Sequence, residues 1–494
     1  MKRIVVIGHG MVGARFVEDI VAADPDAVVT VLGKEPVVAY NRVLLSSVVA
    51  GTKSPELLSI AAPTHPRVTI LTAVAAARID TAKCVVIDER GAEHSYTHLV
   101  IASGSIARVP PIQGVADPDG LVGGAFVLKD MADAQGIVKA AGRARRAVVL
   151  GAGVLGLEVA TGLAKRGVAV RIVHLADRLM ERQLGWEASE IAEASLRRLG
   201  IESHIGASIA GVRTHREVVS AVRLEDGSEV LTDMLVMCCG TIPETSLARK
   251  AGLTVERGVV VDDDLRTSVP NVFAIGDCAQ PPEGGRGLVA QGWDQASRLV
   301  RLLAGTTDEP EAAATSDVVR VKAHGMAMVA MGVCGDFDRS DPRYRVLSLK
   351  DPEGGRYVEV VVSGGLLVGA TCIGDADVAA TLSALYTRGL PVPHDPAHLM
   401  IKALAGGGAN SATRDPAQLA DEDKVCTCNT VTAGRIRHAI ADGCTSVKDV
   451  AAATRATTGC GDCTSLVKGL IDNHCNATPG ETKPGQAAPE EVTV

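Results

Sequence analysis

The chain has 494 residues, a formal net charge of −8, 47% hydrophobic and 22% charged residues. That is the composition of a globular protein with ample core and room for roughly three domains of about 150 residues. No basic run and no interleaving of basic with aromatic residues points to nucleic acid. No apolar stretch approaches the ~18 residues needed to span a bilayer, so neither nucleic acid nor membrane is expected as a partner. The opening MKRIVVIGHGMVG does not read as a signal peptide: its apolar run is short, it breaks at glycines, and no small-residue cleavage site follows. A cytoplasmic location is expected, where the twelve cysteines would be metal ligands or core residues rather than disulfides.

In chain order, RIVVIGHGMVGARFVEDIV is a β-branched run, then Gly8, Gly10 and Gly13, then a helical pattern. AVVLGAGVLGLEVATGLAKRG repeats that order with Gly151, Gly153 and Gly156. Glycine is about a tenth of the chain, so chance supplies roughly half a match to GxGxxG. Two copies, each after an apolar strand and before a helix, are the mark of dinucleotide binding. The glycines allow a tight turn, close approach of backbone to pyrophosphate, and close helix–strand packing. The phosphate then meets the unpaired N–H groups and positive dipole end of the helix. An acid that binds the adenosine ribose is expected about 20 residues on. After the first copy, VTVLGKEP places Glu35 22 residues beyond Gly13. After the second, VRIVHLADRL has His174 at the strand end instead, with Arg178 four residues later. The missing carboxylate removes the ribose acceptor and also the repulsion of a 2′-phosphate. NADH and NADPH therefore both stay open, and an exposed Arg178 would favour NADPH.

Between the copies, THLVIASGSIARVPPIQG reads as a strand ending in a Ser-Gly turn. After the second, VPNVFAIGDCAQ is an apolar strand ending in Gly276-Asp277, ahead of the helical GWDQASRLVRLLAG. An aspartate there is placed for a ribityl hydroxyl. Cys238 and Cys239, in the strand DMLVMCCG, should point to opposite faces and read as core. Cys278 stands alone beside Asp277, so no dithiol is expected to carry electrons. Residues 318–402 read as strands followed by a helix, and AGGGANSATRDPAQLADED as a Gly/Pro/Asp linker.

The last motif is KVCTCN with TGCGDC: Cys426 and Cys428, then Cys460 and Cys463, in the spacing C-x-C-x31-C-x2-C. Four thiolates suit zinc or an iron–sulfur cluster. The spacing is not that of a zinc ribbon. TVTAGRIRHAIADG and TSVKDVAAATRATTG read as helices, with capping-box spacing at Ser446 and Asp449 and Gly443 as a helix-ending residue. CTSLVKGLIDNH opens a third helix, whose N-terminus would offer N–H groups to a negative cluster. Cys444 and Cys475 fall outside the pattern. Residues 477–494 carry three prolines and little core, and read as a disordered tail.

Taken in order, these segments resemble the pyridine nucleotide–disulfide oxidoreductase superfamily. GHGMVGARFVE and AYNRVLLSS are similar to the FAD/NAD half of NAD(P)H nitrite reductase large subunits and to the electron-transfer subunit of assimilatory nitrate reductase. CTCNTVTAGRI and TTGCGDCTSLVKGLI resemble the small helical 2Fe-2S domain of bacterioferritin-associated ferredoxins. The implied fold class is α/β: two Rossmann-like dinucleotide-binding domains, a small α+β domain and a small helical 2Fe-2S domain. The implied boundaries are 1–115 with 238–305 for FAD, 116–237 for NAD(P), 318–402 for the α+β domain, 403–423 for the linker and 424–476 for the cluster domain.

By the same resemblance Gly8, Gly10, Gly13, Glu35, Arg42, Ser103, Gly104, Gly276 and Asp277 belong to FAD. Gly151, Gly153, Gly156 and Glu158 belong to the nicotinamide nucleotide, with His174 and Arg178 as candidates beside them. Cys426, Cys428, Cys460 and Cys463 become 2Fe-2S ligands. Asn41 departs from a common Tyr-Asp-Arg pattern, and Ser47 stands where related ferredoxin reductases have lysine. No catalytic side chain is named, because the hydride step needs no protein acid or base.

The expected function is NAD(P)H-dependent electron transfer through FAD and 2Fe-2S to a partner protein. The first choice of partner is a molybdenum nitrate reductase; a separate nitrite reductase is the second. Reduction of nitrite by the chain itself would need a sirohaem domain, for which residues 477–494 leave no room. Rubredoxin or ferredoxin reduction, docking on an iron-storage protein, and a zinc-stapled flavoprotein oxidase are the remaining alternatives. A homodimer is compatible with the α+β domain.

Overall fold

The computed structural model describes residues 1–60, 63, 65–118, 120–285, 287–306, 317–400, 416, 419–426, 431–458 and 463–477. They belong to two compact units, Met1–Gly408 and Ala409–Val494. Most of the expected linker, the tail beyond residue 477, and Cys428 and Cys460 lie outside the described residues.

The strand Arg3–Ile7 is β-branched almost throughout, and Ile4, Val5, Val6 and Ile7 are all buried. Such a run suits a parallel strand covered on both faces. It is central in a parallel sheet of order Val272–Ala274, His98–Ile101, Arg3–Ile7, Val28–Gly33, Val68–Thr72. The helix Met11–Ala23 packs Phe16, Val17 and Ile20 into this core, beside the helix Val289–Ala304. A second parallel sheet repeats the plan: Ala125–Val127, Met234–Met237, Arg146–Leu150, Ala169–His174, Glu202–Ile205. In both, the strand leading into the glycine turn is central. Ligands of open α/β sheets bind at that place, beyond the strand C-termini.

A third sheet is antiparallel, in the order Val319–Ala323, Met326–Gly332, Leu366–Ile373, Arg356–Ser363, Arg345–Asp351. Its strands alternate their side chains between two cores. Met328 and Tyr357 join Leu157 and Leu163 of the second domain, whereas Val329 and Val358 meet Val378 and Leu382 of the helix Ala376–Arg388.

The second unit has the strands Lys424–Cys426 and Val431–Thr432 and the helices Ala433–Ala441, Val447–Thr454 and Thr464–Ala477. Ser446 and Asp449 make the reciprocal capping box, and Gly443 takes φ +105° just past the first of these helices. No helix among the described residues is long and apolar enough to cross a membrane.

Candidate functional site

The first turn begins where the strand Arg3–Ile7 ends. A Cβ at Gly8, whose φ is +110°, would fall 2.2 Å from the Ala102 carbonyl oxygen, and one at Gly13 2.3 Å from that of Gly8. Both positions are closed to any side chain. Gly10 is different: its nearest neighbour would be Arg42 Nε at 3.8 Å. Gly10 caps the helix Met11–Ala23 with no side-chain hydrogen bond, and the first turn holds no acid. The N–H groups there are left for an anion. His9 is buried with no partner for Nδ1, and burial lowers its pKa. A cradle with closed flanks, an open middle and an orphaned buried nitrogen fits a dinucleotide.

Around this turn the structure gathers polar groups from distant segments. Glu35 accepts from the Tyr40 hydroxyl at 2.7 Å and pairs with Arg42. Arg42 lies over the Tyr40 ring, 4.7 Å from its centroid, and donates to the Lys129 carbonyl at 3.2 Å. Tyr40 accepts in turn from the Met131 N–H at 2.9 Å, and burial pushes its phenol up. A carboxylate has about four acceptor sites, so Glu35 keeps capacity for ribose hydroxyls. Asp277, in the tight turn Gly276–Cys278, accepts from Ser105 at 2.7 Å. The Lys129 ammonium donates to Ser105 at 2.6 Å and stands 3.7 Å from Asp277, and burial lowers its pKa. Gly276, at φ +78°, donates to Gln295 at 2.6 Å. Ser103 donates to the Glu244 carbonyl at 2.8 Å, beside Gly104 at φ +71°. Asn41 is buried and caps the short turn Arg42–Leu44.

At the second turn, a Cβ on Gly151 would lie 2.5 Å from the Cys238 oxygen and one on Gly156 1.9 Å from Gly151, while Gly153 meets nothing within 4 Å. Gly153 likewise caps its helix, Val154–Lys165, without a side-chain bond. Glu158 is only 6% exposed. It accepts from Ser46 at 2.5 Å and from the Lys322 N–H at 2.8 Å, and burial raises its pKa. Of the two neighbouring serines, Ser46 rather than Ser47 faces this carboxylate. His174 accepts at Nδ1 from the Ala152 N–H at 3.2 Å and meets Glu181 through Nε2 at 3.1 Å.

Arg178 is not the exposed arginine that the sequence suggests. It is 7% exposed and donates to Leu184 O, Glu181 O, Asp177 and Asp336. Its guanidinium also lies 5.1 Å from the Trp186 ring centroid. Four of the five N–H donors of Arg178 are thus engaged within the protein.

Cys238 and Cys239 lie just past the strand Met234–Met237, not within it, and are partly buried. They pack against different cores, Cys238 on that of Leu157 and Cys239 on that of Leu150. Burial pushes the Cys239 thiol up to about 11 and the Cys238 thiol further. Cys278 is fully buried, its sulfur 3.4 Å from the Ile101 oxygen and 3.3 Å from that of Ile275, with its pKa raised by burial. Buried thiols of this kind are poor nucleophiles, so these three are unsuited to dithiol exchange.

In the second unit Cys426 and Cys463 are buried. Thr457, at φ +71°, directs its N–H at the Cys463 sulfur from 3.2 Å. An N–H donor aimed at a buried cysteine sulfur suits a cluster thiolate.

Sequence reasoning missed Tyr40, Ser105, Lys129 and Glu181. Ser105 lay inside the Ser-Gly turn, and Lys129 immediately before the capping box of Asp130 and Asp133. Tyr40 stood in the AYNRVLLSS segment, as the first residue of the Tyr-Asp-Arg pattern, and Glu181 carried no local signal.

Fold and site define a flavoprotein-type reductase with two dinucleotide cradles and a separate thiol-bearing domain. Residues 2–298 match the pyridine nucleotide-disulphide oxidoreductase family, and residues 424–473 match the BFD-like [2Fe-2S] binding domain. The chain belongs to the pyridine nucleotide-disulphide oxidoreductase family. Its cofactors are accordingly FAD and NAD(P)H, with a 2Fe-2S cluster implied by the second domain.

Among similar proteins, the NAD(P)H nitrite reductase of Bacillus subtilis is 30% identical over 96% of this chain and 58% of its own length. The assimilatory nitrate reductase electron transfer subunit of the same organism is 29% identical over 95% of this chain and 59% of its own. The chain thus spans little more than half the length of these relatives. A ferredoxin reductase structure from Rhodopseudomonas palustris shares the fold, with TM-score 0.69 and 22% identity over 81% of this chain and 98% of that one.

Proposed function

We propose that this chain carries electrons from NAD(P)H, through FAD and a 2Fe-2S cluster, to a separate reductase, and that the reductase is an assimilatory nitrate reductase. The observation that supports this best is the pairing of two anion-ready glycine turns in one unit with a cysteine-bearing second unit. The relative named as an electron transfer subunit favours the nitrate partner. A role in an NAD(P)H nitrite reductase is the second reading, favoured by the similarity to that enzyme.

In this reading Gly8, Gly10, Gly13, Glu35, Arg42, Ser103, Gly104, Gly276 and Asp277 hold FAD, with Lys129 and Ser105 added. Gly151, Gly153, Gly156 and His174 hold the nicotinamide nucleotide. Glu158 braces the second turn through Ser46 and the Lys322 N–H. Cys426, Cys428, Cys460 and Cys463 hold the cluster. The chemistry supplied by the bound groups is hydride acceptance at the flavin and one-electron carriage at the cluster. The chain's own part is to bind the two nucleotides in one unit and to keep reactive thiols away from the flavin.

The test is the double variant Cys460→Ser with Cys463→Ser in the full chain. It is expected to lose the 2Fe-2S electron paramagnetic resonance signal and keep its FAD. It should still oxidise NAD(P)H with ferricyanide, and fail to drive nitrate reduction when mixed with the nitrate reductase catalytic subunit. Undiminished coupled activity would show that electrons leave from the flavin instead. Nitrite reduction by the purified wild-type chain would replace the electron-transfer reading altogether.

A further inference from the structure

The strand Ala169–His174, which follows the second turn and its helix, ends without an acid, yet a carboxylate arrives there from the loop after it. Ala152 lies between Gly151 and Gly153, and its N–H bonds His174 Nδ1 at 3.2 Å. An N–H can donate only to an unprotonated ring nitrogen, so the proton of the neutral imidazole is on Nε2. That nitrogen faces Glu181 Oε2 at 3.1 Å. One imidazole therefore spans from the glycine turn to the Glu181 carboxylate. The His174 side chain is 12% exposed and that of Glu181 37%, so the ring is a half-buried strut and the carboxylate its solvent-facing end. Glu181 stands 25 residues after Gly156 and His174 18, on either side of the usual spacing of a ribose-binding acid, about 20 residues. Arg178, the cation that would offset this charge, is buried and bonded to two other carboxylates, Asp177 and Asp336, and to two carbonyls. The loop's other guanidinium, Arg182, is exposed.

We infer that Glu181, positioned by His174, accepts from the adenosine ribose and repels a 2′-phosphate, so that this chain takes NADH in preference to NADPH. The inference rests on the second turn being the nicotinamide nucleotide site. A ribose 2′-hydroxyl donates to a carboxylate. A 2′-phosphate in the same place sets like charges side by side, a source of specificity by repulsion.

The test uses the flavin-loaded full chain, with NADH and NADPH oxidised by ferricyanide. Wild type is expected to favour NADH in kcat/KM by about tenfold or more, since like-charge juxtaposition is costly. Glu181→Gln keeps an acceptor for His174 and removes the charge. Its KM for NADPH should fall about tenfold, equivalent to about 1.4 kcal/mol, while its KM for NADH rises as the ribose acceptor loses its charge. His174→Ala should loosen the carboxylate and narrow the preference, and Arg182→Gln should leave the preference in place. Equal use of NADH and NADPH by wild type, or an unmoved ratio in Glu181→Gln, would overturn the inference. Oxidation of neither nucleotide would instead overturn the assignment of the turn, and the inference with it.

Discussion

At the first turn a Cβ on Gly13 would lie 2.3 Å from the Gly8 oxygen; at the second, one on Gly156 would lie 1.9 Å from the Gly151 oxygen. The backbones solve the same steric problem, and the surroundings differ. The first cradle has two cations, Arg42 and Lys129, tied to Glu35, Ser105 and Asp277. The second has an imidazole and the carboxylates Glu181 and Glu158, the latter buried, and its nearby arginine is drawn away into the loop. Charge-assisted bonds are roughly twice as strong as neutral ones. A cradle rich in them suits a resident cofactor, and a sparer one suits a nucleotide that must come and go. On the proposed reading, the glycine turn provides for pyrophosphate in general, and the side chains around it decide which nucleotide and for how long.

The sharpest way to break this comparison is to fill each turn. Gly13→Ala is expected to strip the flavin absorbance. Gly156→Ala should keep the flavin and cut NAD(P)H–ferricyanide activity about a hundredfold, from a clash of about 3 kcal/mol. Equal flavin loss in both variants would mean that the turns do not serve separate nucleotides.

A smaller effect is expected at Arg42. Arg42→Met removes the partner of Glu35 and one of the two cations. Flavin release, followed by fluorescence on dilution, should become about tenfold easier, from the 1.5–3 kcal/mol of a charged hydrogen bond (roughly). The KM for NADH should not move; a change there would place Arg42 in both sites.

The smallest effect concerns buried charge. The second helix buries Glu158, whereas Glu18 and Asp19 of the first are half-exposed. Burial raises the Glu158 pKa despite bonds from Ser46 and Lys322. Its contribution to stability is therefore full below the ordinary carboxyl range and is lost as pH rises through the raised value. Glu158→Gln carries no such loss. The variant should melt about 2 °C above wild type at pH 8 and converge with it near pH 4. A variant that melts below wild type at pH 8 would show that the carboxylate's bonds outweigh its desolvation.

The strand–turn–helix order of both cradles was legible in the sequence because GxGxxG is local: its spacing carries its own geometry. The two parallel sheets followed from the same segments. The polar shell was not legible, because its members meet only through the fold. Ser105 and Asp277 are 172 positions apart, and Ser46 and Glu158 are 112 apart. Arg178 is the clearest case. Four residues past a strand end it reads as a free surface cation, and its burial comes from a loop that folds back on it at Glu181, Leu184 and Trp186 together with the third sheet's Asp336, 158 positions away. Of the four cysteines, Cys426 and Cys463 could be followed into the structure, while Cys428 and Cys460 lie outside the described residues.

The contact between Arg178 and Asp336 constrains how this chain can change over evolutionary time. Replacing Asp336 alone would leave a buried guanidinium short of a carboxylate, a costly loss. Replacing Arg178 alone would free the carbonyls of Glu181 and Leu184 from the cation that gathers them. Neither position can drift by itself without disturbing the loop that carries Glu181. The two residues are expected to vary as a pair among descendants of this sequence, linking a loop of the third sheet to the choice of nucleotide in the second.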